Sequence, residues 1–403
     1  MAVSSSDVEP PPIIPWGAST LYVILSCSLM AVMGVSLISP VLPAIRGAFE
    51  ISDAQVGLVI TAYTLPGIFL TPFMGLIADR IGRRRTIIPL LFVYGATGAG
   101  ITLTTSFTTL LLLRFLQGIG AGALMSLSVT LIGDIYEGSQ RDAIIGLNGS
   151  MTGTGAALYP LIGGVLAGIH WKVPFLLYGF GIVVGLMALL ALPEPSGTSV
   201  SEDVGTYLSQ LSGALVHPQA VAVFGALLIG FFMFYGIAQT ALPLLLNDKF
   251  RLTTGEIGFI LALPAVALAI VSTQHDRLSR WRNTEELLSL GFVTFGISLL
   301  GLSVAPSPFV IALSLLILGA AFGLLMPSAD TALVTLVPSR LRAGTMGMRT
   351  SVMRLGQTIG PVAFTYLAVV GFETPTIGYR VLIFISGVAI FIIGIGGYTF
   401  LRR

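Results

Sequence analysis

Charge is what this sequence has least of. Only 9% of its 403 residues are Asp, Glu, Lys or Arg, against roughly 25% in a soluble domain. That deficit, beside 55% hydrophobic residues, excludes a soluble enzyme, a disordered chain and a nucleic-acid binder. The formal net charge of +2 offers a polyanion no general attraction. A single cysteine, Cys27, lies inside an apolar run, so no intrachain disulfide can form. The three histidines, His170, His217 and His275, stand too far apart for metal-ligand spacing. No G-x-x-x-x-G-K-[ST] phosphate loop is present, which argues against nucleotide-driven pumping. Nor does any nucleophile, base and orienting group recur together within the apolar runs, so an enzyme is not expected. No metal or other cofactor is expected either. The first seventeen residues contain Asp7, Glu9 and a Pro-rich stretch but no Lys or Arg, unlike a cleavable signal peptide.

What the sequence has is apolar length. Twelve runs stand out, over 18–43, 56–78, 86–106, 109–133, 143–168, 173–193, 220–246, 257–273, 286–305, 309–337, 346–371 and 379–401. Each is near the roughly 20 residues a bilayer crossing requires. Twelve such runs leave no polar helix faces to meet water, so the expectation is an all-α membrane protein with the lipid bilayer as its solvent. With the N-terminus in the cytoplasm, that side carries Arg80, Arg83, Arg84, Arg85, Arg141, Arg277, Arg280, Arg282, Arg340, Arg342, Arg402 and Arg403. The other side carries Arg46, Lys172, Lys249, Arg251 and Arg380. The basic excess predicts both termini in the cytoplasm and a multi-pass protein of the cytoplasmic membrane.

The second half repeats the first. At an offset of 201, Gly57, Met125, Arg141, Gly146, Ser150, Gly155 and Pro160 fall on Gly258, Met326, Arg342, Gly347, Ser351, Gly356 and Pro361. At 197, Asp79-Arg80-x-x-Arg83-x-Arg85 falls on Asp276-Arg277-x-x-Arg280-x-Arg282. Two six-helix bundles of like orientation are what a parallel transporter repeat predicts, with a site near the midplane between them. The expected organisation is a cytoplasmic tail over 1–17, a bundle over 18–193, a cytoplasmic linker over 194–219 with a short surface helix from Val204 to Val216, and a bundle over 220–403.

Three motifs carry a resemblance. Between helices 2 and 3 stands Gly75-Leu-Ile-Ala-Asp79-Arg80-Ile-Gly82-Arg83-Arg84-Arg85; helix 4 holds Arg114-Phe-Leu-Gln117-Gly118-Ile-Gly120-Ala121-Gly122; helix 5 holds Gly155-Ala-Ala-Leu-Tyr159-Pro160-Leu-Ile-Gly163-Gly164. On these residues the chain resembles the major facilitator superfamily, and within it the twelve-helix drug:proton antiporter group. The helix 5 element departs from that group's pattern, with Tyr159 where a glycine precedes the proline, whereas helix 11 has the pair as Gly360-Pro361. The resemblance implies a conformational latch of Gly75, Asp79, Arg80, Gly82, Arg83 and Asp134, with Arg83 bridging Asp79 to Asp134. Asp79 would meet the positive N-terminal end of helix 11 near Gly344 to Gly347. Gly118, Gly122, Pro160, Gly163, Gly164, Gly360 and Pro361 read as helix-packing positions.

Charges inside a span need partners or a function. Arg114 should face the protein interior, either touching a cavity or satisfied by backbone carbonyls of helix 1. Among the acids only Asp330 lies clearly within a span, which makes it the proton-coupling candidate; the alternative is a permanent structural pair with Arg354, set at comparable depth. Met33, Tyr63, Gln117, Asn148, Phe234, Tyr235, Gln239, Met326 and Gln357 are candidate substrate contacts, because helices 1, 4, 7 and 10 surround the cavity of the family resembled, with 2, 5, 8 and 11 beside them. The reading is a secondary transporter working by alternating access, acting as a monomer, that exports drug-like or amphiphilic small molecules against protons. Its alternatives are a symporter or uniporter of a small polar or anionic metabolite, with Arg114 or Arg354 holding the anion, and a non-transporting membrane sensor.

Overall fold

The computed structural model of the chain describes residues 14–193, 218–338 and 341–401. The expected surface helix from Val204 to Val216 lies outside them. Twelve long helical segments follow one another: α1 Ser19–Phe49, α2 Asp53–Ile81, α3 Arg83–Leu103, α4 Phe107–Ile135, α5 Gly138–Ile169, α6 Val173–Ala191, α7 Pro218–Phe250, α8 Thr254–Thr273, α9 Thr284–Val304, α10 Pro308–Leu336, α11 Arg342–Gly371 and α12 Pro375–Leu401. An even number of crossings returns both ends to one side, called here the terminal face; the other is the distal face. Large apolar side chains such as Val165, Leu190, Phe309 and Ile392 point outward, as they do toward lipid. Among the described residues eleven of these segments are long and apolar enough to span a bilayer on composition alone. The exception is α11, which carries Arg342, Arg349 and Arg354 and packs against α2 and α7.

Several helices run past the boundaries that the apolar runs mark, because their ends are capped by polar residues. α1 ends on Glu50 in the left-handed region (φ 53), and α2 then starts with a capping box, in which the Ser52 side chain accepts from the Gln55 amide and Gln55 reaches back to Ser52. Half a chain later the same device recurs. α7 ends on Arg251 (φ 56), and α8 starts with a capping box of Thr253 and Glu256. Glu50 to Arg251 and Ser52 to Thr253 are both steps of 201, so the repeat extends to the geometry of the helix ends. At the terminal end of α2, Gly82 takes φ 106, which only glycine adopts without strain, and the chain enters α3 at the next residue.

The two halves meet along two seams that are copies of each other. In one, Gly57 of α2 faces α11, where an added Cβ would lie 3.1 Å from the Pro361 carbonyl oxygen and 2.5 Å from Thr365 Oγ1. In the other, Gly258 of α8 abuts the Pro160 carbonyl of α5 so closely that a Cβ would collide, and Gly164 abuts the Thr254 carbonyl likewise. Gly57 to Gly258, Pro160 to Pro361 and Gly164 to Thr365 are all related by 201. Thr254 Oγ1 also donates to the Gly164 carbonyl at 2.8 Å, and Thr61 Oγ1 to the Thr358 carbonyl at 2.9 Å. A Gly258→Ala protein should lose about 1 to 3 kcal/mol through overpacking, visible as a lowered midpoint of thermal unfolding in detergent; an unchanged midpoint would show that the seam yields freely.

Candidate transport site

On the distal face, beyond the seams, four side chains from four helices form a clamp. Arg46 near the end of α1 reaches across to Asp248 near the end of α7, with Nη1 donating to Oδ2 at 2.9 Å and Nη2 to Oδ1 at 2.5 Å. Its Nη1 also donates to Asp53 Oδ1 at 2.6 Å, at the start of α2. The second oxygen of Asp53 accepts from the Tyr379 hydroxyl of α12 at 2.8 Å. Asp53 is only 4% exposed, and these two donors make its burial tolerable. Residues 46 and 53 belong to the first half and 248 and 379 to the second, so the clamp crosses between halves twice. Beneath it Ser39 Oγ, in the 3-10 turn that interrupts α1, donates to the Gln239 carbonyl at 2.7 Å.

α7 is irregular at the equivalent place. From Phe234 to Ala241 its backbone widens into a π-helix, where Thr240 Oγ1 bonds the Tyr235 carbonyl at 2.8 Å. Such stretches recur at functional sites because they shift side chains out of helical register. Here the stretch carries three of the expected substrate contacts, Phe234, Tyr235 and Gln239. Phe234 lies 5.0 Å from Phe322 of α10 between ring centroids, and Phe231 lies 5.9 Å from the same ring, which makes an aromatic wall between α7 and α10.

Arg114 is wholly buried. Its Nη2 donates to the Gly34 carbonyl of α1 at 2.7 Å, Nε to the Val59 carbonyl of α2 at 3.2 Å and Nη1 to Gln117 Oε1 at 2.8 Å. The Tyr63 ring covers the guanidinium at 4.4 Å. Of the two sequence readings the structure follows the one in which carbonyls satisfy the arginine, and α2 contributes as well as α1. Gln117 is likewise fully buried; its Oε1 accepts from Arg114, while its Nε2 has no hydrogen-bond partner in the protein. It turns inward because a polar side chain one helical turn from a buried guanidinium is the nearest acceptor available.

Asp330 pairs with Arg349, not with Arg354. Arg349 Nη2 lies 3.2 Å from Asp330 Oδ2, and its Nε also contacts Oδ1. Helix depth explains the choice. Asp330 lies six residues from the end of α10 and Arg349 seven from the start of α11, both about 10 Å in at 1.5 Å per residue, while Arg354 is about 18 Å in. Met326 sits beside the pair, with Sδ 3.9 Å from Arg349 Nη2. Arg354 instead donates to Gln357 Oε1 at 3.2 Å, and its stem lies against α2 at Gly67.

Of the remaining candidates, Met33, Tyr63, Asn148, Gln239 and Gln357 are buried, and Phe234, Tyr235 and Met326 are half-buried. Tyr63 Oη, Asn148 Oδ1 and Gln239 Oε1 are buried without a hydrogen-bond partner in the protein. On the terminal face Arg83 Nε meets Asp134 Oδ2 at 2.7 Å, linking the start of α3 to the end of α4. Arg80 is exposed, and the side chain of Asp79 and the surroundings of Gly75 lie outside those described. A Cβ on Gly118 would strike the Tyr63 carbonyl, one on Gly163 the Leu37 carbonyl and one on Gly360 the Phe232 carbonyl. Gly122 is looser, its nearest neighbour being the Gly118 carbonyl oxygen at 3.4 Å. Pro160 and Pro361 lie inside α5 and α11. The Tyr159 ring folds back over Gly155, 2.8 Å from where a Cβ would be, so one glycine of the motif makes room for the side chain that replaces the other.

Sequence reading passed over the clamp. Asp53 and Asp248 stand at helix ends, outside the spans where a charge needs a partner or a function. The usable signal was the repeat itself: Arg46 and Asp248 lie one residue from the 201 offset, opposite charges at equivalent ends of the two helices that face each other across the pseudo-twofold axis.

Two six-helix halves of like orientation, joined at copied seams around buried polar groups, define a secondary membrane transporter. The model of the Major Facilitator Superfamily matches residues 24–284 and 227–403, and the chain belongs to that family. It is 24% identical over 349 residues to multidrug resistance protein 1 of Bacillus subtilis (strain 168), covering 85% of this chain and 88% of the relative. It is 26% identical over 359 residues to the bacillibactin exporter of the same strain, with the same two coverages, 85% and 88%. Among solved structures it resembles an inward-facing, unoccupied bacterial homolog of the human lysosomal transporter Spinster, with a TM-score of 0.80 and 18% identity over 95% of this chain and 96% of that one.

Proposed function

We propose that the chain exports amphiphilic organic molecules from the cytoplasm in exchange for protons, by rocking its two halves about a central site. The carrying observation is the distal seal. The Arg46–Asp248 and Tyr379–Asp53 contacts and both glycine seams lie toward the distal face. A molecule joined there opens its cleft toward the terminal face, and the excess of arginines on that face supports a cytoplasmic assignment. The names of the multidrug resistance and bacillibactin exporter relatives support export of organic compounds, and the aromatic wall of Phe231, Phe234 and Phe322 suits an apolar body.

Asp330 and Arg349 are the coupling pair in this reading. They stand toward the terminal face, and the Asp330 side chain is 44% exposed, which gives protons access in this reading. Protonation removes the attraction that ties α10 to α11 and lets the second half change shape. On the same face the Arg83–Asp134 pair, with Asp79, is the latch that closes against α11 when the cleft faces outward. In liposomes, Asp330→Asn should lower uphill transport driven by a pH gradient at least tenfold while substrate counterflow stays within twofold. Unchanged uphill transport would remove Asp330 from the mechanism.

A further inference from the structure

We infer that the central site recognises an anionic group on its substrate, so that the cargo is an amphiphilic organic acid, and that Arg354 is the residue that binds the acid. The inference rests on the transport reading above and names the substrate class for it. It starts from the arginines that pair with acids in the structure or lie deep in a span, leaving aside the other basic residues near the helix ends. Arg46 is met by Asp53 and Asp248, Arg349 by Asp330, and Arg83 by Asp134. Arg114 is ringed by neutral acceptors, which satisfy its hydrogens and leave its charge uncancelled. Arg354 makes no ion pair among the described residues; its one named hydrogen bond goes to the neutral amide of Gln357.

These two uncompensated positive charges belong to the same region. The Tyr63 ring covers Arg114 at 4.4 Å, and the Tyr63 phenol lies within the electrostatic reach of both Arg114 and Arg354. Tyr235, on the π-helical stretch of α7, is also within reach of Arg354. Arg354 is half-buried, midway along α11 at the join between halves, with its stem against Gly67 of α2. The Tyr63 hydroxyl, 2% exposed, has no hydrogen-bond partner in the protein. The Arg354 guanidinium fork is suited to two oxygens of one anionic head. The Phe231, Phe234 and Phe322 wall supplies the surface for the apolar remainder. A cationic amphiphile would meet the opposite: among the described residues no carboxylate is paired with Arg354, since Asp330 is committed to Arg349 nearer the terminal face.

The test uses the full-length protein with dansyl-labelled undecanoate, its uncharged methyl ester and the dansyl-labelled alkylamine of equal length. Binding is read from dansyl fluorescence in detergent and movement from liposomes of zwitterionic phospholipid. Wild-type protein should bind the acid at least tenfold more tightly than either analogue. Arg354→Gln should reduce acid affinity about tenfold and leave ester affinity within twofold, and Arg354→Lys should keep part of the preference. Equal binding of the three probes by wild-type protein, or an acid preference that survives Arg354→Gln, overturns the inference; the first comparison needs no variant to fold. Ester or amine moving without acid preference would leave the transport reading standing. Acid binding that depends on Arg354 without movement would leave the anion site standing and remove the transport reading. Repeating the binding with an anionic phospholipid present identifies the source of the anion: competition points to a lipid head and its absence to a free acid, and each requires the anion site.

Discussion

Asp248→Asn should open the distal face. The substitution exchanges a bidentate charged contact with Arg46 for a neutral one, while Arg46 keeps Asp53 and Asp53 keeps Tyr379. Hydrogen bonds to charged groups contribute about 1.5 to 3 kcal/mol. The pair is partly exposed, with 22% and 28% of the two side chains accessible, so solvent screening reduces this to about 1 to 2 kcal/mol. A shift of that size moves the balance between the two orientations about 5- to 30-fold. The readout is a Thr61→Cys reporter in a Cys27→Ser background, because Thr61 lies in the α2–α11 seam and Cys27 is buried and is the one native cysteine. A maleimide that cannot cross the membrane, added outside, should label the Asp248→Asn reporter at least five times faster than the same reporter with Asp248 intact. Uphill transport should fall, because in the proposed exchange a carrier that no longer seals its distal side lets protons and substrate slip. Equal labelling rates would mean that the glycine seams alone hold the distal face closed.

That prediction joins residues about half a chain apart, and the distance explains what was legible in the sequence and what was not. Periodicity and composition report local physics, so the helices, the Gly82 turn and the interior placement of Arg114 follow from short windows. The repeat extends this reach: an offset of 201 relates Gly57 to Gly258 and Pro160 to Pro361, and the structure makes those same residues the two seams. Contacts that break the symmetry are invisible to such reasoning. Arg46 faces Asp248 and not a copy of itself, and the choice of Arg349 over Arg354 by Asp330 depends on where α10 and α11 end. The apolar runs place the end of α10 one residue away and the start of α11 four residues away. Four residues along a helix is about 6 Å, enough to exchange one ion-pair partner for another.

Arg114→Ala should cost more than any other single change considered. The side chain has no solvent exposure and ties three helices, with the Gly34 carbonyl of α1, the Val59 carbonyl of α2 and Gln117 of its own α4 as its acceptors. Removing it leaves Gln117 Oε1 without its donor and the Gly34 and Val59 carbonyls with one donor fewer, although Gly34 keeps the Tyr178 hydroxyl at 3.1 Å, strips the Tyr63 and Tyr178 rings of the cation they cover, and opens a cavity. Hydrogen bonds to a charged group contribute about 1.5 to 3 kcal/mol and the cavity adds to the loss, while removal of a buried charge offsets part of both. The loss bears on transport as well as stability, because α1 and α2 carry Arg46 and Asp53 at their distal ends. In the proposed rocking motion those helices must move as one body, and Arg114 is placed to tie them together. Arg114→Ala should lower the thermal midpoint in detergent by several degrees and reduce transport at least a hundredfold. Arg114→Lys separates the two roles. An ammonium keeps the charge but cannot reach three acceptors in divergent directions, so it should recover much of the thermal midpoint and little of the transport. Wild-type transport by the alanine protein would show that the first half holds its helices together without this residue.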